Sequence, residues 1–133
     1  MNNRPIHFEL QADDLERAMK FYADVFDWTF ISYSELVDSP YFGIITGEDG
    51  TPGINGGIQP RPANRPGPEM GTNAATLTMG VDDYDAYEQK ILKAGGQVAL
   101  PKMALTGMAW QGYYLDTEGN VFGIHQPDTN AGL

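Results

Sequence analysis

The sequence contains no cysteine, few basic residues and no long hydrophobic run. Without cysteine the chain can form neither a disulfide framework nor a thiolate metal site, which suits a reducing compartment. Its 8 basic and 18 acidic residues give a net charge of −10, and this charge repels nucleic-acid phosphates and anionic lipid. No apolar run approaches the roughly 20 residues of a membrane span, and no signal-peptide core follows Met1. We therefore expect a cytoplasmic protein that binds neither nucleic acid nor membrane.

What is present indicates a globular protein. The 133 residues are 41% hydrophobic, and a chain of this length is the size of a single domain with a sizeable core. Near its midpoint, prolines recur throughout residues 60–68. Because proline lacks the amide hydrogen and fixes the φ angle, this stretch is unsuited to a central strand or a helix interior. It predicts a Pro/Gly-rich linker over residues 59–73 between two halves of the chain.

Each half opens with the same pair of elements. An alternating segment, residues 6–11 in the first half and 75–81 in the second, predicts a half-buried strand. Asp13 and Asp82, 82 − 13 = 69 residues apart, then begin two amphipathic helical patterns, where an acidic cap is favoured. Three further strands are predicted in each half, over residues 28–33, 41–46 and 53–58 and over residues 97–100, 108–115 and 120–126. This repetition predicts an α+β protein made of two βαβββ modules, over residues 5–58 and 74–127.

Three segments together resemble the vicinal oxygen chelate superfamily, which has the glyoxalase/bleomycin resistance/extradiol dioxygenase fold. Residues 7–22 are similar to its opening strand and helix, residues 25–28 to the end of that helix, and residues 116–124 to its last hairpin. The resemblance implies a single glyoxalase-like domain over residues 1–133, in which the two modules form curved mixed sheets around a cleft. It also implies a small-molecule ligand, a homodimer, and a divalent metal held by the first and last strands of both modules.

The ligand positions that the resemblance implies are only partly occupied by residues able to bind a metal. His7 stands at the first position, but Thr76 occupies its equivalent in the second module, where histidine is usual. Residues 54–58 offer no carboxylate, and Gly123 stands where the final glutamate is usual. The usual four-ligand metal site is therefore predicted to be absent, and no cofactor is expected. Thr76 and His7 are then interpreted as residues that contact a small-molecule ligand directly.

A displaced metal site is the alternative. Side chains two residues apart on a strand share a face, so Glu9 lies on the side of His7, and His125 on the side of Gly123. His7, Glu9 and His125 could then hold a divalent metal, which would make the chain a metal-dependent lyase, isomerase or dioxygenase. A third hypothesis is metal-free general-base catalysis by His7 with Glu9 as its partner. His7 and Glu9 are thus candidates both for catalysis and for ligand binding.

Aromatic residues supply further candidates for ligand binding. Trp110 and Tyr114 lie on a segment that borders the ligand cavity in the similar family. Alternation along a strand puts either this pair or Gln111 and Tyr113 on the ligand side of the sheet. We expect Trp110, Tyr114 and His125 to contact the ligand.

Two consecutive glycines, Gly56 and Gly57, stand in the stretch where the similar family often places a metal ligand. Such glycines either admit a substrate close to the sheet backbone or mark a β-bulge. The β-bulge is the interpretation that we adopt.

Overall fold

The computed structural model describes residues 3–63, 75–118 and 120–133 of the chain. The chain divides into two compact units: the first comprises residues 7–75, and the second comprises residues 1–6 together with residues 76–133. Each unit contains a strand, a helix and three further strands in that order, with one additional short helix in the first unit. The α+β class that the sequence predicted is therefore confirmed.

The first unit contains a four-stranded mixed sheet in the order β2-β3-β4-β1. Its elements are β1 (Pro5–Ala12), which belongs to this unit from His7 onward, α1 (Leu15–Phe26), β2 (Thr29–Ser32), α2 (Ser34–Val37), β3 (Phe42–Ile45) and β4 (Asn55–Pro60). β1 runs parallel to β4, whereas β3 is antiparallel to both of its neighbours, β2 and β4. α1 begins where the Asp14 carboxylate accepts a hydrogen bond from the Arg17 backbone N–H, and it ends at Asp27, which adopts a left-handed φ of 61°.

The alternation along β1 separates an apolar face from a polar one. Ala12, Ile44 and Ile58 form the buried core of the first unit, and partly buried side chains of β1 and α1 pack against them: Phe8, Leu10, Leu15, Ala18 and Met19. The other face, called here the first polar face, carries the intervening residues of β1 and their neighbours on β4: His7, Glu9, Gln11, Asn55, Gly57 and Gln59. The helix therefore covers one side of the sheet and leaves the polar residues on the other.

The second unit contains a four-stranded mixed sheet in the order β5-β8-β7-β6. Its elements are β5 (Thr76–Gly80), α3 (Tyr84–Lys93), β6 (Gln97–Leu105), β7 (Ala109–Leu115) and β8 (Val121–Pro127). β5 is parallel to β8, and the remaining pairs are antiparallel. α3 begins where the Asp83 carboxylate accepts a hydrogen bond from the Ala86 backbone N–H. It is followed by Gly95, whose φ of 101° is one that glycine adopts without strain.

The core of the second unit lies between its sheet and α3. It consists of Val81, Tyr84, Tyr114 and Ile124, with Tyr87, Ile91, Trp110 and Phe122 packed against them. The opposite face, called here the second polar face, carries Thr78, Gln111, Tyr113, Gly123 and His125, which the strand register places side by side. Each unit thus has one face that packs on a helix and one that carries polar groups.

The sequence-based boundaries need correction at several points. Residues 59–60, predicted to start the linker, end β4 instead, because a proline at the last position of a strand removes little of the hydrogen-bond ladder. The rest of the predicted linker from residue 64 onward lies outside the described residues. Both helix caps fall one residue later than predicted, at Asp14 and Asp83, and the short helix α2 was not predicted.

The β-bulge predicted at Gly56 and Gly57 is wrong. Both glycines stand in unbroken register between β1 and β3. A Cβ on Gly56 would lie 2.5 Å from the Phe8 carbonyl oxygen, and one on Gly57 would lie 1.9 Å from the Tyr41 hydroxyl oxygen. Glycine is required here because neighbouring groups approach the strand closely.

No helix in the described ranges 3–63, 75–118 and 120–133 is long and apolar enough to cross a membrane.

Candidate functional site

The first polar face holds a set of hydrogen-bonded side chains from three segments of the first unit. His7 Nε2 lies 2.9 Å from the Tyr41 hydroxyl oxygen, and Tyr41 comes directly before β3. Glu9 is only 4% exposed and accepts a hydrogen bond from Gln59 Nε2 over 3.1 Å. Buried polar groups need such partners, because an unpaired one costs its full desolvation penalty. The two predicted residues His7 and Glu9 therefore belong to one polar cluster.

Tyr41 is a residue of this cluster that the sequence did not reveal. Burial, and to a smaller degree the charge of Glu9, raises the pKa of its phenol well above the ordinary value. The hydroxyl therefore stays protonated at neutral pH and can donate to His7 Nε2. Its only trace in the sequence is Gly57, whose missing side chain leaves the space that the Tyr41 hydroxyl fills.

A cavity of about 520 Å³ lies within the first unit. Its wall combines charged and polar groups with apolar ones, among them Glu9, Gln11, Asp14, Arg17, Phe21 and Arg61. Arg61 Nε lies 3.2 Å from an Asp13 carboxylate oxygen, and Arg61 Nη2 donates to the Gln11 carbonyl oxygen over 3.1 Å. The volume is within the range of small-molecule sites.

The Gln11 side chain in this wall carries an unsatisfied acceptor. Its Oε1 atom is buried and has no hydrogen-bond partner within the described part of the chain. Such atoms are rare in folded proteins and call for an explanation, of which an absent ligand is one. Alternation along β1, which placed Glu9 beside His7, also places Gln11 on this face, and the sequence could have revealed it by the same argument.

On the second polar face a glutamine links a histidine to a threonine. His125 Nδ1 lies 2.8 Å from Gln111 Oε1, and Gln111 Nε2 lies 3.5 Å from Thr78 Oγ1. Gln111 and Thr78 are buried, and His125 is partly buried. Burial lowers the pKa of His125 below 6.5, because the charged imidazolium is less well solvated there than in water. The imidazole is therefore neutral at pH 7.

The structure places Trp110 and Tyr114 on the helix side of β7. Both pack in the core of the second unit, and the Tyr114 hydroxyl lies 2.8 Å from that of Tyr84. Trp110 Nε1 donates to Asp128 over 3.0 Å. Of the two alternating sets on β7, it is Gln111 and its neighbour Tyr113 that share the face of His125. Thr76, two residues before Thr78 on β5, is half-buried.

The residues present do not fit the four-ligand metal site that the resemblance implies. Within the described ranges no group of three or more His, Cys, Asp or Glu side chains is placed to hold a metal ion. A Cβ on Gly123 would lie 2.7 Å from Thr78 Oγ1 and 2.8 Å from Gln111 Nε2. At Gly57 the Tyr41 hydroxyl fills the corresponding space. Other side chains thus fill the space beside Gly123 and beside Gly57, which is one of the residues 54–58 where the resemblance implies a carboxylate.

Comparison with known proteins identifies the family. A model of the Glyoxalase/Bleomycin resistance protein/Dioxygenase superfamily matches residues 4–124. The chain belongs to this superfamily, as its resemblance to the vicinal oxygen chelate proteins predicted.

Two curated relatives have the same description, Putative glyoxylase CFP32. One is from Mycobacterium bovis (strain ATCC BAA-935 / AF2122/97) and the other from Mycobacterium tuberculosis (strain CDC 1551 / Oshkosh). Each is 29% identical to this chain, over 96% of this chain and 47% of the relative. The chain therefore spans about half the length of the curated relatives that it matches.

Solved structures share the fold at low sequence identity. The hypothetical protein BH1468 from Bacillus halodurans C-125 has a TM-score of 0.69 and 11% identity, with both chains covered completely. A methylmalonyl-CoA epimerase from Mycobacterium tuberculosis has a TM-score of 0.62 and 14% identity, over 93% of this chain and 87% of that one. A glyoxalase/bleomycin resistance protein/dioxygenase superfamily member from Vibrio splendidus 12B01 has a TM-score of 0.59 and 18% identity, over 94% and 98%. These likenesses support the fold assignment.

Proposed function

We propose that this chain is a small-molecule-binding member of the superfamily that works without the usual four-ligand metal site. The observation that carries this proposal is the cavity of about 520 Å³ in the first unit. One of its lining residues, Gln11, has a buried acceptor with no partner among the described residues. A ligand that donates an N–H or O–H to this oxygen would satisfy it. The candidates for ligand contact remain His7, Glu9 and Thr76. The core of the second unit contains Trp110 and Tyr114.

The residues at the ligand positions already contact other groups of the protein, which disfavours a bound metal. His7 Nε2 already lies at hydrogen-bonding distance from Tyr41, and Glu9 accepts from Gln59. A side chain at Gly57 or Gly123 would have to displace the Tyr41 hydroxyl or the Thr78 and Gln111 side chains from their present positions. The alternative of a metal-dependent lyase, isomerase or dioxygenase therefore needs a different ligand set from the one that the family resemblance implies.

The proposal is tested by a ligand screen that compares two matched variants. The wild-type protein is screened by thermal unfolding against small metabolites, since a ligand that binds only the folded state raises the melting temperature. We expect hits whose effect is lost in Gln11→Leu, which removes the cavity acceptor, and kept in Gln89→Leu, which alters an exposed glutamine on α3. Hits that shift both variants equally would contradict a role for the cavity.

Metal content is measured on protein purified without chelator and without a nickel column. We expect no stoichiometric zinc, iron, nickel or manganese. A bound metal that is lost in His7→Ala or Glu9→Gln would overturn the proposal in favour of the metal-dependent alternative.

Proton transfer by His7 and Glu9 is a second candidate function. Two observations favour this candidate: His7 and Glu9 share a strand face, and the Glu9 side chain is buried. Catalytic acids and bases are often found in such surroundings. Each ligand found in the screen is incubated with the protein in D₂O. Deuterium uptake at carbon that disappears in Glu9→Gln would show catalysis, and the absence of uptake would leave a binding protein.

We also infer that the chain forms a homodimer, from family membership, and that it acts in the cytoplasm, since a chain without cysteine suits a reducing compartment. Sedimentation equilibrium of the purified chain tests the first inference, and a monomer at micromolar concentration would contradict it. Cell fractionation tests the second.

A further inference from the structure

Three side chains on the second polar face form a chain of contacts that runs from a threonine to a histidine. Thr78 Oγ1 lies 3.5 Å from Gln111 Nε2, and Gln111 Oε1 lies 2.8 Å from His125 Nδ1. Gln111 and His125 face each other in the β7–β8 register. Thr78 faces the adjacent Gly123 in the β5–β8 register. All three side chains are therefore fixed on regular strands of one sheet.

The orientation of the Gln111 amide decides which imidazole nitrogen carries the proton. An amide oxygen can only accept a hydrogen bond, so the Nδ1 atom that faces it must donate. A neutral imidazole has one proton, and its Nε2 atom then holds a lone pair. The structure gives this Nε2 no hydrogen-bond partner among the described residues. His125 thus presents an acceptor, whereas the Nε2 of His7 already faces the Tyr41 hydroxyl.

Gly123 makes this arrangement possible. A Cβ at this position would lie 2.8 Å from Gln111 Nε2 and 2.7 Å from Thr78 Oγ1. Either contact is closer than van der Waals packing allows, so a larger residue would push the amide out of line with His125. The glycine that removes the expected metal ligand is therefore also the residue that lets Gln111 reach Thr78.

We infer that His125 Nε2 is a ligand-accepting atom of the second polar face, which takes an N–H or O–H donor of a small molecule. Gln111 and Thr78 are its positioning residues, since they hold the imidazole in one tautomer without touching the ligand. The inference rests on the proposed function, because it requires that the protein binds a small molecule. It goes beyond that function in naming the accepting atom and the type of donor that the ligand must carry.

The tautomer is measured directly by nitrogen NMR of the ligand-free protein. The chain has only 2 histidines, so a His7→Gln variant leaves the signals of His125 alone. We expect the Nδ1–H tautomer of His125 in this His7→Gln variant, which is otherwise wild type. We expect the same tautomer in Gln111→Glu, which keeps an acceptor oxygen, but the Nε2–H tautomer in Gln111→Leu. Gln97→Leu, an exposed position on β6, is the control and should leave the tautomer unchanged.

A His125 that carries its proton on Nε2 in the wild-type protein would overturn the inference. So would a Gln111→Leu variant that stays folded and keeps the Nδ1–H tautomer. If Gln111→Leu fails to fold, Thr78→Val provides the second variant, because it removes only the hydroxyl that orients the amide. We expect a mixture of tautomers in Thr78→Val, and a pure Nδ1–H form there would count against the role of Thr78.

A chemical probe then tests whether the lone pair is accessible. Diethyl pyrocarbonate reacts with neutral imidazole nitrogen, and its products are separated by peptide mass spectrometry. We expect His125 to be modified severalfold faster than His7, and Tyr41→Phe to accelerate modification of His7 alone. Slower modification of His125 than of His7 would overturn the inference. Neither measurement requires a ligand or a metal, so its failure is distinguishable from failure of the proposed function.

Discussion

The hydroxyl oxygen of Tyr41 lies 2.9 Å from His7 Nε2, and it fills the space that a side chain at Gly57 would need. His7, at the first metal-ligand position that the resemblance implies, therefore contacts a phenol. This phenol lies beside the stretch of residues 54–58, where the resemblance implies a carboxylate. The Tyr41 phenol and His7 thus form a hydrogen-bonded pair at this position.

Removal of the Tyr41 hydroxyl should destabilise the fold through this one contact. Tyr41→Phe keeps the ring and loses the hydrogen bond to His7, which typically contributes about 1 kcal/mol to the free energy of unfolding. Urea denaturation of the two proteins measures the difference. Tyr33→Phe is the matched control, because Tyr33 is 40% exposed, and an equal loss in both variants would contradict the assigned contact.

In the second unit the Tyr84 hydroxyl lies close to Gly112. We therefore expect the stability effects of substitutions at these two positions to depend strongly on each other. A Cβ on Gly112 would lie 1.8 Å from the Tyr84 hydroxyl oxygen. We expect Gly112→Ala to cost roughly 1–3 kcal/mol through overpacking. Tyr84→Phe removes the clashing oxygen, so the double variant should be more stable than the sum of the two single changes predicts. Additive free energies of unfolding in this double-mutant cycle would contradict the packing described.

Restoring a carboxylate at the position of the final family ligand should not restore a metal site. Gly123→Glu would bring its Cβ within 3 Å of Thr78 and Gln111. We expect a lower melting temperature and no stoichiometric zinc after incubation with the metal and gel filtration. Gly123→Glu combined with Gln111→Ala relieves one of the two contacts and should recover part of the lost stability. A single variant of unchanged stability that binds zinc would show that the site has room after all.

The turn before β8 predicts a dependence of stability on acid pH. The Asp116 carboxylate accepts hydrogen bonds from the Asn120 side chain and from the backbone N–H groups of Asn120 and Glu118, and these hold its pKa below 3.8. A depressed folded-state pKa gives stability that is fully present above the unfolded-state pKa. It is lost as the pH falls below 3.8 and through the folded-state value.

The corresponding measurement is the urea midpoint of the wild-type protein and of Asp116→Asn between pH 2 and pH 6, a window that spans about two units on either side of an ordinary carboxyl pKa. We expect the wild-type advantage to be largest at the upper end of this range and to shrink towards its lower end. A difference between the two proteins that stays constant with pH would contradict the role of Asp116.

Much of the fold was predictable because it depends on local patterns. The alternation in residues 6–11 and the amphipathic pattern that follows define β1 and α1, and the same two patterns recur 69 residues later. Alternation also placed Glu9 on the side of His7, as the register confirms. These features require only the periodicity of the strand or helix to which the residue belongs.

The remaining parts of the site depend on contacts between distant segments. Alternation alone did not tell which of two sets of β7 side chains faces away from the helix. The structure shows that Tyr114 faces α3, because its hydroxyl contacts that of Tyr84. Tyr41 reaches His7 across 34 residues of sequence, which no local pattern encodes. The predicted positions of the helix caps were wrong for a simpler reason. Two adjacent aspartates precede each helix, and the sequence does not distinguish the one whose carboxylate accepts a hydrogen bond from the first turn.

The tandem aspartates before α1 allow that choice to be tested directly. The Asp14 carboxylate lies 3.0 Å from the Arg17 backbone nitrogen, whereas the Asp13 carboxylate faces Arg61 at 3.2 Å. Loss of a side-chain cap costs about 1 kcal/mol, whereas an exposed ion pair contributes roughly 0–1 kcal/mol. We therefore expect Asp14→Ala to lower the free energy of unfolding more than Asp13→Ala. Asp14→Ser, which keeps a capping oxygen, should recover most of the loss, and a larger effect of Asp13→Ala would move the cap back to the predicted residue.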